Sequence, residues 1–342
     1  MKFCSRILTI KGLGIFKVST QVNTMDYLSG WCKSNRRLDG CTAVVTGSNT
    51  GIGKETAFDL YKRGARIILA CRNIEKANVA KDQMEQEMKS ETGTGELVVE
   101  KLDLCSLKSV KEFVERVTSR QESVSLLVCN AGVMMCPQGK TEDGFETHIG
   151  SNHFGHALLS LLLLPTLIKY GPSRIVFVSS YLHEKFELDL DDLNFERKPY
   201  DAYEAYCRSK AANVMFATAL ADKLKEHNIS NVSTYSLHPG VIRTEISRHF
   251  DETVFYGVSW LFNAFGWLMK SPRCGAQTTV FCAVDEQCAD QTGLYYSDCA
   301  VKTPSKQCQD HAQAAMLWDL TIKALQLNLT TYNPFSEVES KL

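Results

Sequence analysis

The chain has 342 residues, of which 44% are hydrophobic and 23% are charged, and its formal net charge at pH 7 is −1. This composition is ordinary for a globular protein with a well-buried core, and it excludes intrinsic disorder as the main state of the chain. The near-neutral charge supplies no global field that would hold a polyanion, so nucleic-acid binding has no electrostatic support.

The N-terminal segment, residues 1–37, differs from the rest of the chain. Its first 25 residues hold four basic residues and no acidic one, which is typical of a targeting or membrane-anchoring segment. Lys11 and Lys17 break its apolar run, so the run is shorter than the roughly 20 apolar residues that a membrane-spanning helix needs. A transit peptide, an interfacial anchor and a frayed tail remain open. We expect membrane association, at the endoplasmic reticulum rather than the mitochondrion.

From about Leu38 onward, short apolar runs rich in β-branched residues alternate with longer stretches of helical period. The predicted strands are Thr42 to Thr46, Ala65 to Ala70, Leu97 to Lys101, Ser125 to Cys129, Arg174 to Ser179 and Asn231 to Leu237. The predicted helices are Gly53 to Arg63, Asn73 to Thr92, Ser106 to Arg120, Phe145 to Lys169, Ala202 to His227 and Ser271 to Asp285. This alternation predicts the α/β class: a doubly wound (Rossmann) parallel sheet flanked by helices. We expect residues 38–325 to form one domain, followed by a tail over residues 326–342.

The thirteen cysteines are scattered singly along the chain, with no CxxC pair and no Cys/His cluster at metal-ligand spacing. This pattern predicts no metal site and indicates reduced thiols in a cytosol-like compartment. The sequons at Asn228, Asn231 and Asn328 are short matches that occur often by chance. The unpaired cysteines argue against a glycosylated environment.

A glycine-rich turn follows the first predicted strand. Gly47 allows a tight turn, Gly51 admits a pyrophosphate against bare backbone, and Gly53 lets the next helix pack closely on the strand, with its amide groups facing the anion. A plain loop is the competing interpretation, and the position after the first strand of a βα series favours the functional one. The predicted contacts to a dinucleotide are Gly47, Ser48, Asn49, Thr50, Gly51, Ile52 and Gly53.

The end of the second predicted strand indicates which dinucleotide binds. An acidic residue there would accept hydrogen bonds from the ribose of NAD, whereas this sequence has Arg72, whose guanidinium can pair with a 2′-phosphate. NADP(H) is therefore favoured, and a solvated arginine with NAD accepted is the alternative. Asp103 and Leu104 are candidate contacts to the adenine. The turn of Asn130, Ala131 and Gly132 is a candidate contact to the sugar, and a plain turn competes with each of these two assignments.

Four residues form a candidate catalytic group. Tyr206 and Lys210 stand four apart on a predicted helix and therefore share a face. A tyrosine becomes a workable general acid or base when an ammonium and a positive nicotinamide favour its phenolate. Ser180 follows a strong strand, where a hydroxyl could polarise a substrate carbonyl. Asn152 interrupts a long predicted helix, which a role in holding a water beside the lysine would explain.

Taken together, these motifs resemble the short-chain dehydrogenase/reductases over about residues 38–325. The matching motifs are the turn from Thr46 to Gly53, the Asn130-Ala131-Gly132 turn, Asn152, Ser180, and Tyr206 with Lys210. The resemblance implies that Tyr206 is the acid/base, Ser180 the carbonyl partner, Lys210 the ribose ligand that lowers the tyrosine pKa, and Asn152 part of a water relay. It also implies that a segment closing over the nicotinamide contains Pro239, Gly240, Val241 and Thr244. The N-terminal 37 residues and the tail beyond Asp319 carry no matching motif.

Within that family the chain is most similar to the retinol dehydrogenases of types eleven to fourteen. The similarity rests on Ala70-Cys71-Arg72, Asn152 to His156, His238 to Val241 and Tyr295 to Cys299. It implies an NADP(H)-dependent enzyme that interconverts retinol and retinal. A carbonyl reductase for another lipid, such as an isoprenoid, a steroid or a fatty aldehyde, remains an alternative. A non-catalytic NADP(H)-binding sensor or scaffold is the alternative of another class, although a pure binder would not need Tyr206.

Seventeen uncharged residues rich in aromatic side chains lie between Glu252 and Lys270. Such a stretch is either buried core or a lid over an apolar substrate at a membrane interface. The second interpretation fits an apolar alcohol or aldehyde that reaches the site from lipid. The family resemblance also suggests a homodimer in which the helices beginning near Ser106 and Ala202 pair between two copies.

Overall fold

The computed structural model of the protein describes residues 24–120, 122–242, 269–329 and 332–335. Residues 1–23, which hold most of the predicted N-terminal segment, lie outside these ranges. So do residues 243–268, which include Thr244 and nearly all of the apolar stretch. The roles predicted for them in targeting, cofactor closure and substrate entry therefore stay predictions.

A single sheet of eight strands forms the centre of the described chain, in the order β3-β2-β1-β4-β5-β6-β7-β8. The first seven strands are parallel and β8 is antiparallel to β7. The strands are β1 Thr42–Thr46, β2 Arg66–Cys71, β3 Glu96–Lys101, β4 Val124–Cys129, β5 Ser173–Val178, β6 Val232–His238, β7 Leu294–Ser297 and β8 Ala300–Val301. The predicted Rossmann class and all six predicted strands are confirmed. Strands β7 and β8 were missed because runs this short carry too little periodicity.

Helices cover both faces of the sheet. They are α1 Thr24–Tyr27, α2 Gly51–Lys62, α3 Ile74–Glu87, α4 Leu107–Ser119, α5 Gly155–Lys169, α6 Ala202–Glu226, α7 Pro272–Gly275, α8 Gln277–Val284 and α9 His311–Ala324. Two of the predicted helices differ in extent. The second ends at Glu87 rather than Thr92, before a Gly- and Ser-containing turn, and the last is two short helices, α7 and α8. Helices α1 and α9 were not predicted.

The fourth predicted helix, Phe145 to Lys169, also begins differently from the prediction. Its first part is a π-helix at Ile149–Phe154, which continues directly into α5. The Glu146 carboxylate explains why the helix starts there, because it accepts hydrogen bonds from the main-chain amides of His148 and Ile149, both at 2.9 Å. A carboxylate in this position satisfies amides that have no partner within the helix and favours its positive end.

The core has two halves because successive side chains of a strand point to opposite faces of the sheet. On β1, Val44 belongs to the cluster that packs with α4, α5 and α6, whereas Ala43 and Val45 belong to the cluster that packs with α2 and α8. All five residues of β1 are buried. Burial on both faces is the reason why the strands read as continuous apolar runs in the sequence.

The strand order places a crevice beside β1. From β1 the chain runs through β2 and β3 in one direction, and then returns to β4, on the other side of β1, before continuing outward. Loops leaving the carboxyl ends of β1 and β4 therefore diverge, which is where open α/β sheets bind ligands. None of the helices in the described ranges combines the length and the apolar character needed to cross a bilayer.

Candidate active site

The glycine-rich turn adopts a conformation that requires glycine. Gly47 and Gly51 have φ angles of +65° and +57°, a region that residues with a Cβ rarely adopt. A Cβ on Gly53 would lie 2.4 Å from the carbonyl oxygen of Gly47, so this position needs glycine for close packing. The Thr50 side chain makes no capping hydrogen bond at the start of α2. The first amides of α2 are thus left for a ligand, and an anion is the preferred one.

A cavity of 360 Å³ lies over this turn and spans the carboxyl ends of β1 to β4. It is lined by Gly47, Asn49, Thr50, Gly51, Ile52, Gly53, Ala70, Arg72, Asn73, Lys76, Leu102, Asp103, Leu104, Cys105, Asn130, Ala131, Gly132, Val133 and Ser151. Twelve of these residues are among the predicted cofactor contacts. Among the predicted contacts at residues 47–53, Ser48 alone does not line the cavity; it is fully buried, and its hydroxyl donates to the carbonyl of Val45 at 2.9 Å.

Two cations stand at the β2 end of the cavity. Arg72 is exposed, and within the described ranges its guanidinium has no hydrogen bond or ion pair. Lys76 lies four residues later, in the first turn of α3, whose N-cap is the Asn73 side chain accepting from the Lys76 amide at 2.7 Å. Sequence reasoning missed Lys76, although its spacing from Arg72 was a usable signal. The pair suits an anionic group at the cavity mouth.

The predicted adenine and sugar contacts line the cavity, but part of their hydrogen-bonding capacity is used within the protein. Asp103 accepts from the Cys105 amide at 3.0 Å. The Asn130 side chain donates to the Thr46 carbonyl at 2.9 Å, which fastens the turn after β4 to the end of β1. Ala131 and Gly132 remain on the wall of the cavity. The side chain of Asn130 therefore acts on the loop rather than facing the cavity freely.

Asn152 lies within the π-helix and is fully buried. Its amide group donates to the carbonyl of Val133 at 3.0 Å and to the hydroxyl of Ser209 at 2.9 Å, and its side-chain oxygen accepts from the Val133 amide at 2.8 Å. Single π-turns within α-helices occur frequently at functional sites. This turn explains how an asparagine is tolerated inside a long helical segment.

Lys210 is 2% exposed and lies on α6 beneath the end of β5. Its ammonium donates to the carbonyl of Val178 at 2.9 Å, and the hydroxyl of Ser179 donates to the Lys210 carbonyl at 2.7 Å. Burial lowers the pKa of Lys210 to about 8. The nitrogen lies 5.8 Å from the centre of the Tyr206 ring, so the predicted proximity of these two side chains is observed.

Tyr206 is 4% exposed and packs against Leu182 and Cys207. Burial raises the pKa of Tyr206, and a hydrogen bond with Ser180 partly offsets that rise. Ser180 lies at the carboxyl end of β5, where its hydroxyl also accepts from the Leu182 amide at 3.2 Å. The structure thus brings together Ser180, Tyr206, Lys210 and Asn152, and it leaves the tyrosine protonated at neutral pH.

The predicted closing segment begins at the end of β6. Gly240 has a φ of +101°, and a Cβ there would lie 2.7 Å from the Cδ of Lys270. Val241 is exposed, and its carbonyl accepts from the Lys270 amide at 3.0 Å. His238 accepts from the Gly240 amide at 2.9 Å, and burial lowers the pKa of His238 to about 4, so this side chain is neutral at pH 7. Pro239, Gly240 and Val241 do not line the 360 Å³ cavity.

The described ranges contain no group of three or more His, Cys, Asp or Glu side chains that could hold a metal ion. The site instead contains Tyr206 and Lys210, the two cations near β2, and Asp103 and Cys105 on the wall of the cavity. This set suits proton transfer to an oxygen and binding of a phosphate-bearing cofactor.

Comparison with known proteins identifies the family. The protein-family model described as short chain dehydrogenase matches residues 41–254 of this chain. The chain belongs to the short-chain dehydrogenase family. Retinol dehydrogenase 11 of Mus musculus is 44% identical over 299 residues, which cover 87% of this chain and 90% of that protein. Retinol dehydrogenase 13 of Homo sapiens is 41% identical over 320 residues, which cover 91% of this chain and 92% of that protein.

Solved structures agree with this assignment. The crystal structure of an uncharacterised protein from Mycobacterium paratuberculosis has 29% sequence identity to the chain and a TM-score of 0.70, over 88% of this chain and 99% of that one. The predicted resemblance to the short-chain dehydrogenases, and to retinol dehydrogenases of types 11 to 14 within them, is confirmed. The chain is accordingly an oxidoreductase of a family that uses NAD(P)(H).

Proposed function

We propose that this protein is an NADP(H)-dependent enzyme that interconverts retinol and retinal, or a similarly apolar alcohol and aldehyde, by hydride transfer with Tyr206 as general acid/base. The observation that carries the proposal is the meeting of Ser180, Tyr206 and Lys210 at the end of β5, beside Asn152. The substrate class comes from relatives named retinol dehydrogenases, which are 38% to 44% identical over most of their length.

The residues around the cavity fit NADP(H). The amides that begin α2 have no side-chain cap from Thr50, and Gly47 and Gly51 place no side chain between the backbone and the cavity at their two positions. Arg72 and Lys76 supply positive charge at the end of β2, where a carboxylate would be expected in an enzyme that prefers NAD. The glycine-rich turn and the first amides of α2 would hold the pyrophosphate. Arg72 and Lys76 would hold the 2′-phosphate.

When bound, NADPH supplies the hydride that reduces the carbonyl carbon. Tyr206 then donates its proton to the carbonyl oxygen, and Ser180 holds that oxygen by a hydrogen bond. Burial keeps Tyr206 protonated at neutral pH, which suits the reducing direction. Lys210, fixed by the Val178 carbonyl, provides the positive charge that stabilises the phenolate left behind. Asn152 accepts a hydrogen bond from the Val133 amide and so holds that segment in place beside Lys210.

The direct test is an assay of the full chain in mild detergent, following NADPH absorbance with all-trans-retinal, decanal and a steroid ketone. Reduction of retinal with NADPH, and slower reduction with NADH, is the expected result. Turnover of the steroid ketone but not of retinal would move the assignment to another lipid carbonyl. Cofactor binding without turnover of any carbonyl would overturn the enzymatic proposal in favour of an NADP(H)-binding scaffold.

The charge of Lys210 leads to a pH-dependence prediction. Because burial lowers its pKa to about 8, the ammonium is present below that pH and is lost as the pH rises through it. We expect kcat/KM for retinal reduction to be level at neutral pH and to fall roughly tenfold per pH unit on the alkaline side. Lys210→Arg keeps the charge at every working pH. This variant should be slower but should lose the alkaline fall; the same fall in both proteins would contradict the prediction.

We also propose that the protein associates with a membrane surface. Met25, Tyr27 and Leu28 are exposed in the described part of the predicted N-terminal segment, and Tyr27 and Leu28 are 83% and 73% exposed. Apolar side chains at such a position suit an interface between water and lipid. Flotation of the full chain with phosphatidylcholine vesicles tests the proposal. Recovery of all of the protein in the vesicle-free fraction would refute it.

A homodimer formed through α4 and α6 stays a prediction. Helix α6 is buried along nearly all of its length within a single chain, where α9 packs on it with the rings of Phe216 and Trp318 stacked at 5.5 Å. The outward face of α4 is more exposed and is the better candidate for a contact between copies. Sedimentation in detergent distinguishes one copy from two.

A further inference from the structure

A fully buried histidine that the mechanism does not use lies between the cofactor turn and the catalytic group. His156 is the second residue of α5 and is completely inaccessible to solvent. Its Nδ1 lies 3.0 Å from the main-chain carbonyl oxygen of Asn152, and its Nε2 lies 2.9 Å from the hydroxyl oxygen of Thr46. One side chain therefore contacts both the last residue of β1 and the π-helix.

The partners fix the direction of each hydrogen bond. A carbonyl only accepts, so Nδ1 carries the proton and donates to Asn152. The hydroxyl oxygen of Thr46 already accepts from the amides of Asn130 and Ala131, both at 2.9 Å, so its own proton is free to go to Nε2. The Val128 carbonyl, at 3.3 Å, is a more distant alternative acceptor for that proton. Burial lowers the pKa of His156 to about 4, which keeps the ring neutral as this arrangement requires.

The resulting chain of hydrogen bonds encloses the turn after β4. Thr46 holds the amides at the beginning of the turn, and the Asn152 side chain holds both main-chain groups of Val133 at its end. His156 joins these two anchors. Between them lies Gly132, where a Cβ would be 3.3 Å from the Lys210 nitrogen and 3.3 Å from the Asn152 side-chain oxygen. The turn that lines the cofactor cavity thus reaches Lys210, with little room for movement.

We propose that His156 is a positioning residue, which couples the cofactor-binding turn at Thr46 and Asn130 to the catalytic Asn152 and Lys210 through two oppositely directed hydrogen bonds. The inference rests on the proposed function, because it assigns His156 an effect on cofactor binding and on turnover. His156 itself makes no contact with the reacting atoms. Its two nitrogens have separable tasks: Nε2 supports the cofactor turn, and Nδ1 supports the π-helix that carries Asn152.

Two substitutions separate these tasks. In His156→Asn the side-chain amide falls near the position of Nδ1, so the bond to Asn152 can persist while the bond to Thr46 is lost. In His156→Gln the amide falls near Nε2, so the reverse holds. We expect His156→Asn to raise the Kd for NADPH about tenfold with a smaller change in kcat, and His156→Gln to lower kcat about tenfold with a smaller change in Kd. Fluorescence titration gives Kd without any carbonyl substrate.

A measurement on the cofactor-free protein gives an independent readout. Hydrogen exchange of the Asn130 and Ala131 amides, followed by mass spectrometry of the full chain, should be about tenfold faster in His156→Asn than in the wild type. Thr46→Val should accelerate it further, whereas Thr46→Ser, which keeps the hydroxyl, should not. Because both Thr46 variants leave His156 intact, this pair still tests the chain of hydrogen bonds if His156→Asn fails to fold.

His153→Asn is the matched control, because His153 is also buried but its Nε2 forms a hydrogen bond with the hydroxyl of Thr321, on α9, at 2.9 Å. It should lower the melting temperature without changing the Kd for NADPH or the exchange of Asn130 and Ala131. Equal effects of His153→Asn and His156→Asn on those two quantities would overturn the inference, as would additive effects of His156→Asn and Thr46→Val on Kd. If the wild-type protein binds no NADPH, the proposed function fails, while the exchange experiment still decides whether the network exists.

Discussion

Replacing Tyr206 by Phe is expected to lower kcat for retinal reduction by roughly a thousandfold, because a positioned general acid contributes about 10² to 10⁴ to the rate. The substitution removes only the hydroxyl that donates the proton, and the buried ring can stay packed against Leu182 and Cys207. The Kd for NADPH should change by less than about twofold, since the loss is confined to the transition state. Stopped-flow measurement of hydride transfer with retinal gives the rate directly.

Tyr235→Phe is the matched control for this prediction. Tyr235 is also fully buried, and its hydroxyl donates to the carbonyl of Cys288 at 2.8 Å, remote from the catalytic group. The control should lose some stability and keep its kcat. If Tyr206→Phe retained more than about a tenth of the wild-type kcat, Tyr206 could not be the principal proton donor. A water or another side chain would then have to take that role.

Replacing Arg72 by Asp is expected to reverse the cofactor preference. The change removes the guanidinium proposed to pair with the 2′-phosphate and adds a carboxylate that repels the phosphate and can accept hydrogen bonds from a free ribose. Since a hydrogen bond to a charged group contributes about 1.5 to 3 kcal/mol, the Kd for NADPH should rise by roughly 10- to 100-fold. The Kd for NADH should fall, so the ratio of the two constants should change by more than either one.

Lys76→Gln tests the second cation at the same end of the cavity. Its effect should be smaller, about threefold in the Kd for NADPH, because Lys76→Gln removes a point charge without adding a repelling carboxylate. Because Lys76 is exposed, the effect should diminish in high salt. Lys111→Asp on α4 is a control for a charge reversal on an exposed helix away from the cavity, and it should leave both constants unchanged. If the ratio of the Kd for NADPH to the Kd for NADH were unaltered in Arg72→Asp, Arg72 would not be the residue that binds the 2′-phosphate.

Much of the architecture and of the site follows from local patterns in the sequence. The six predicted strands are found with their ends displaced by at most one residue, because runs such as Ile175 to Val178 are apolar and largely β-branched and are covered on both faces. The glycine-rich turn and the Tyr206 and Lys210 pair could be predicted because each depends on spacing within one element. Their meeting with Ser180 could also be anticipated, because Ser180 follows β5 and the next helix, α6, begins near that same edge of the sheet.

Other features could not be derived because they depend on partners remote in sequence. Strand β7 pairs with β6 over residues 235–238 and 294–297, and its four residues form a strand only because that edge exists. Helix α9 was missed, although its Leu317 and Trp318 pack into the core beside α6. Lys76 and the early end of α3 are different, because both follow from local features that the sequence offered: α3 begins immediately after β2, and a turn follows Glu87.

The sequence by itself determined the alternation of the first six strands with helices, the family and the chemical identity of the candidate catalytic group, because these depend on periodicity and short motifs. The tertiary structure alone decided how each polar side chain uses its hydrogen bonds. Ser48 and Asn130 support the turns on which the cofactor contacts lie, and His156 connects Thr46 with Asn152 across 110 and 4 residues of sequence respectively. Those assignments depend on distances between atoms that only the packing of helices on the sheet brings together, and buried polar groups must find partners there because water is excluded.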